Sequence, residues 1–137
     1  MRSITWFARV SLFIIYFWFG SLKLLGTSPA EFLVHELFNI TLYHLTNFKT
    51  FTICFGLFEC LIAISWLIPK ITFIAYYAVI IHVIFTFVPV IALTELTWSS
   101  TFTPTIIGQY IIKNILLLSC IMFVKENYKL ALERNKH

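Results

Sequence analysis

The chain has 137 residues, of which 60% are hydrophobic and 12% charged, and its mean hydropathy is +0.90. A soluble domain carries about 25% charged residues, so this composition excludes a soluble enzyme and specifies an all-α integral membrane protein. The net charge of +4 resides mostly at the ends of apolar segments, with no basic, aromatic-interleaved surface, which argues against a nucleic-acid partner.

The first span is expected over residues 4–25. Arg2 ahead of an apolar run resembles a signal peptide, but Trp18, Phe19 and Lys23 stand where a cleavage site would be, so the segment reads as a retained helix. Arg9 and Lys23, near its two ends, are expected to snorkel to the interfaces. Tyr16, Gly20 and Lys23 share one face, and Gly20 permits close helix approach. Ser28-Pro29-Ala30-Glu31 then carries a helix-start pattern with Ser28 as cap and Glu31 placed for a capping box. Up to Thr46 the pattern is amphipathic, with Glu31, His35 and Asn39 recurring every fourth residue. This segment is too short and polar to span, and is placed as an outer interfacial helix, a lid between spans one and two.

The second span is expected over residues 51–68, with Thr52, Gly56, Glu59, Ala63 and Trp66 on one face. Glu59 is the one acid within any expected span. Pro69-Lys70 leaves so short a turn that the third span, residues 71–93, must run antiparallel beside the second. His82 lies on its inward stripe, and Pro89 frees the carbonyl of Phe85, which Thr86 or a neighbouring helix is expected to satisfy. Residues 94–104 form an outer loop holding Glu95 and Trp98, the latter read as an interface anchor.

The fourth span, residues 105–124, contains Gly108-Gln109-Tyr110-Ile111-Ile112-Lys113-Asn114. Lys113 costs about 2.5–3.5 kcal/mol at mid-membrane while each Ile or Leu offsets only about 0.3–0.6, so Gln109, Lys113 and Asn114 are expected to face protein. The tail, residues 125–137, is polar and is read as a helical extension at the inner surface. Arg2, Arg9, Lys70, Lys125, Lys129, Arg134 and Lys136 fall on one side of four spans, against Lys49 in the opposite loops, which predicts both termini in the cytoplasm.

At about 1.5 Å per residue, Glu59, His82 and Lys113 all fall near the midplane. The expectation is a Glu59–His82–Lys113 cluster flanked by Gln109, Tyr110 and Asn114, with Lys23, Glu95 and Trp98 as secondary candidates. Such a set can pass protons or bind a polar headgroup such as a quinone carbonyl. It can equally be a structural ion pair that fixes helix register, with His82 a satisfied core histidine. Bis-histidine haem within the chain is disfavoured, because His82 is the single mid-span histidine. Glu31, His35 and Glu36 give too few ligands for a metal, and none is expected. Cys54, Cys60 and Cys120 lie in apolar runs without a Cys-x-x-Cys pair and read as packing residues. No nucleophile with a base and orienting acid and no phosphate loop is apparent, so any enzymatic role is at most that of a non-autonomous oxidoreductase subunit.

These features resemble the DoxX-like family of small four-span membrane proteins. The matching residues are Arg9, Trp18 to Lys23, Ser28-Pro29, Gly56 to Glu59, Pro69, His82, Pro89, Glu95 to Trp98, Pro104-Thr105 and Gly108 to Asn114. A neighbouring family linked to reactive-chlorine resistance ranks second, because the acidic-alanine motif expected soon after Lys23 is missing. The resemblance implies a four-helix bundle in the bacterial inner membrane, serving as a subunit of a quinone-linked or oxidative-stress redox complex. Redox partner subunits or a homo-oligomer are the expected protein partners besides the lipid bilayer. The rival expectations are a small transporter or proton-conducting protein, disfavoured by four spans without an inverted repeat unless the protein oligomerises, and a non-catalytic scaffold or assembly factor.

Overall fold

The computed structural model describes residues 3–135; Arg2 and Lys136, two of the basic residues used for orientation, lie outside them. The elements in chain order are α1 (Ser3–Leu24), α2 (Glu31–Thr41), α3 (Phe48–Leu67), a 3-10 turn (Pro69–Ile71), α4 (Thr72–Ala92), α5 (Thr94–Thr97), β1 (Trp98–Ser100), β2 (Thr103–Pro104), α6 (Ile106–Ile112) and α7 (Ile115–Arg134). Among the described residues, four helical segments are long and apolar enough to cross a membrane: α1, α3, Pro69–Ala92 and Ile106–Arg134. They close a ring in which α1 packs on α3 and α7, and α4 packs on α3 and α7. The shared core is Leu12, Tyr16, Ile62, Ala63, Trp66, Ala75, Val79, Val83, Ile121 and Val124.

The α1–α3 pair is the tightest because glycines meet. A Cβ on Gly20 would lie 2.9 Å from the Gly56 carbonyl oxygen and 2.8 Å from Cys60 Sγ, and one on Gly56 would lie 2.9 Å from the Gly20 carbonyl oxygen. Bare backbones in contact are the usual route to close association in lipid, where apolar side chains gain little by leaving one apolar medium for another. Leu24, at the end of α1, rests on Gly56, whereas α3 continues outward to Phe48. The last turn of α1 therefore ends about 12 Å short of the start of α3, at 1.5 Å per residue.

That offset corrects the reading of Arg9 and Lys23 as snorkelling residues: both are buried, at 0% and 7% exposure. Lys23 is level with the interior of α3 rather than with its end. Arg9 turns inward to the α3–α4 turn, where Nη1 donates to the Trp66 carbonyl at 3.0 Å and Nη2 donates to Thr72 Oγ1. Pro69 has no N–H to offer α3, so the last carbonyls of that helix need outside donors. The guanidinium supplies one at the negative end of the helix dipole.

The start of α2 also differs from expectation. Ser28 Oγ accepts from the Ala30 N–H, and helix α2 begins only at Glu31, with Ala30 as its uncapped N-cap. No capping box forms, because Ser28 is spent on its own turn. Helix α2 buries Phe38 against Phe48 and Phe51 of α3.

At the opposite end of α4, Thr86 donates to the Val83 carbonyl, not to that of Phe85, and accepts from Asn114 Nδ2 at 3.3 Å. The connection to the fourth span is folded. Helix α5 leads into a two-stranded antiparallel hairpin pairing Trp98 with Pro104, and Trp98 Nε1 donates back to the Val90 carbonyl near the end of α4. Trp98 thus serves a helix end. The fourth span is broken at Lys113-Asn114, where Asn114, Leu116 and Leu117 N–H groups take carbonyls three residues back. The tighter 3-10 geometry separates α6 from α7, and α7 runs on through Arg134 as the helical tail.

Candidate functional site

The buried polar residues near the middle of the bundle come from α1, α3 and α4. The α3–α4 hairpin aligns Glu59 and His82 by itself, since they lie 23 positions apart and almost symmetrically about the Pro69-Lys70 turn. His82 Nε2 stands 2.9 Å from Glu59 Oε1. Lys23 Nζ lies 2.7 Å from Glu59 Oε2, and the Tyr16 hydroxyl lies 3.3 Å from His82 Nδ1. The four side chains form one chain of contacts, Tyr16–His82–Glu59–Lys23.

Helix direction explains why Lys23 reaches Glu59. Side chains on a helix lean toward its N-terminus, and α1 and α3 run antiparallel. Lys23 and Glu59 therefore lean toward each other across the glycine contact. Lys23 stands three positions after Gly20, and Glu59 three positions after Gly56, so the contact that draws the backbones together also sets the reach of the pair.

Tyr16, Lys23, Glu59 and His82 are 3%, 7%, 4% and 7% exposed. Each makes a hydrogen bond inside the set. An ionised Glu59 can only accept, which requires Nε2 of His82 to carry a hydrogen; in a neutral imidazole Nδ1 then accepts from the Tyr16 hydroxyl. In that state Lys23 and Glu59 cancel in charge and His82 is neutral. Phe55 stacks on the imidazole with centroids 5.4 Å apart and planes at 15°, and its ring lies 5.2 Å from Lys23 Nζ. Phe51 stacks on Phe55, and Phe38 of α2 touches Phe51. An aromatic column thus links the helix between the first two spans to the polar chain.

Of the residues expected to converge, Glu59 and His82 do so directly. Lys23, assigned only a secondary place from the sequence, takes the position expected of Lys113. Gln109 and Tyr110 are exposed on α6 and Lys113 just past its end, with Lys113 Nζ 5.3 Å from the Tyr110 ring. The reason is rotational: Gly108 and Ile111 are the residues that α6 buries, so positions 109, 110 and 113 face away from the bundle. Asn114 lies at the break and meets Thr86 instead of the polar chain. Glu95 is exposed on α5, and Trp98 is bound to α4. Tyr16 and Phe55 were not singled out from the sequence as site residues. Tyr16 had a signal, the face it shares with Gly20 and Lys23. Phe55 had none, because one phenylalanine among many in an apolar run carries no mark of its neighbours. Among the described residues, no three His, Cys, Asp or Glu side chains gather as a metal site.

The fold and the buried charges define a multi-span helical membrane protein. Comparison with family models, with curated proteins and with solved structures finds no match to this chain.

Proposed function

We propose that this protein is a proton-handling membrane subunit of a quinone-linked or oxidative-stress redox complex, and that Tyr16, His82, Glu59 and Lys23 carry the proton. The observation that supports this most is the buried, mutually hydrogen-bonded chain of four titratable groups joined through one carboxylate. Ionisable residues inside a membrane are expensive and are kept chiefly where ions or protons are moved. The DoxX-like resemblance supplies the redox setting and the bacterial inner membrane.

The chain suits proton passage better than headgroup binding. Both carboxylate oxygens and both imidazole nitrogens already have partners, leaving a carbonyl headgroup only the remaining N–H bonds of Lys23 as donors. A proton arriving at His82 Nδ1 makes the ring cationic, and the Nε2 proton can then pass to Glu59 Oε1. Lys23 then releases one of its protons, and the proton on Glu59 replaces it. One proton enters beside Tyr16 and one leaves at Lys23, and the set carries at most one excess charge throughout. Tyr16 and Lys23 are seven residues apart on α1, so the path covers about 10 Å along the helix.

The test starts with native mass spectrometry of the chain extracted gently from its own membrane, where a redox subunit or quinone should co-purify. At matched protein levels Glu59→Gln should lower quinone-reductase flux at least tenfold with the partner still bound, whereas Lys113→Met should not. The double variant Lys23→Met with Glu59→Gln keeps the site neutral and should remain inactive although folded. Full flux in the double variant would mean that the pair is structural, and a chain recovered without redox partner or quinone would remove the redox assignment.

A further inference from the structure

Helix α6 presents an outward stripe, Ile106, Gln109 and Tyr110 at i, i+3 and i+4, continued by its C-cap Lys113 and, past the break, by exposed Leu116 on α7. Tyr110 is 67% exposed and Leu116 70%. The segment Ile106–Arg134 is also the least covered of the four spanning segments. Lys113 lies seven residues from the start of α6, about 10 Å into the span. An ammonium, an amide and a phenol there face hydrocarbon in a lone chain, an arrangement that membrane helices avoid by turning such residues toward protein.

The same chain holds a complementary charge one to two turns nearer the start of that span. The Thr97 carbonyl lies so close to Gly108 that a Cβ there would be 2.1 Å away, and the Thr105 N–H donates to that carbonyl at 2.9 Å. Helix α5 with its exposed Glu95 is therefore level with the first turn of α6. Lys113 leans back toward that turn, as its contact with the Tyr110 ring records. Neither Glu95 nor Lys113 has an ion-pair partner among the described residues.

We propose that the Gln109–Tyr110–Lys113 face is the contact surface for a second copy of this chain, with Lys113 of each copy paired to Glu95 of the other. A two-fold axis makes both pairs at once, and the Gln109 amide, donor and acceptor together, can bond across the same interface. The pairing takes both charges out of lipid contact, which no rotation of α6 within one copy achieves without exposing Gly108 and Ile111.

Single-molecule photobleaching of the full chain in vesicles of bacterial phospholipid, at a low protein-to-lipid ratio, tests this. Two-step bleaching should dominate for the native chain. Lys113→Glu and Glu95→Lys should each cut the dimer fraction at least fivefold, and the two together should restore it. Lys113→Leu, which makes the helix more apolar and leaves insertion unthreatened, should also abolish the dimer. A native chain that bleaches in one step overturns the proposal, as do charge reversals without effect on the dimer. Recovery of Lys113 crosslinked in native membranes only to a different membrane protein, or only to lipid, overturns it as well.

Discussion

Lys23 and Lys113 are the same residue type in comparably apolar helices, and their surroundings assign them opposite roles. Lys23 is held against Glu59 at 2.7 Å inside the bundle, while Lys113 stands outside it. Removing one member of a buried ion pair costs about 3–5 kcal/mol, because an uncompensated charge remains, whereas removing both costs far less. Lys23→Met and Glu59→Gln should thus each lower unfolding stability in detergent by about that amount, and the double variant should recover a large part of it. Additive losses would show that the two charges are not coupled. The need for a basic partner for Glu59 was legible in the sequence, as was the contact with His82. Which lysine would serve was not, because depth counted along separate helices omits two variables: helix rotation and axial offset. Rotation turned Lys113 outward, and the early end of α1 brought Lys23 inward.

Glycine governs the next scale. Gly20 and Gly56 let α1 and α3 touch backbone to backbone, and every contact of Glu59 with Lys23 depends on that separation. Gly20→Leu places a side chain against the Gly56 carbonyl and Cys60 Sγ, and overpacking of this kind typically costs about 1–3 kcal/mol. Its diagnostic effect should be geometric: fluorescence energy transfer between dyes on α1 and α3 should report a wider separation and a loosened Lys23–Glu59 pair. Unchanged transfer efficiency would contradict the close-contact account. At this scale the four apolar segments, the antiparallel hairpin at Pro69 and the helix after Pro29 could all be read from hydropathy and turn residues. The break at Lys113-Asn114 could not, since neither residue is a helix breaker by type and the 3-10 tightening accompanies a contact of Asn114 with Thr86 on another helix.

For the whole molecule, exposed basic residues lie unevenly. Lys70, Lys129 and Arg134 are exposed at the end where α1 begins, while Lys49 is exposed at the other end. With Arg9 buried, the asymmetry survives on fewer charges, and it predicts that the end holding Lys70 faces the cytoplasm. In a chain with Cys54, Cys60 and Cys120 replaced by Ala, Thr101→Cys should react with an impermeant maleimide added to intact cells. Lys129→Cys should react only after permeabilisation. The reverse pattern would invert the orientation and, with it, the direction of proton passage proposed for Tyr16 to Lys23.

The four members of the polar chain all lie between Tyr16 and His82. The fourth span contributes no side chain to it, so the set is complete within α1, α3 and α4. Gln109 and Lys113, exposed on the last span, have no share in that neutralisation. The membrane-embedded polar groups thereby divide by helix into an inward set held by the first three spans and an outward set carried by the last.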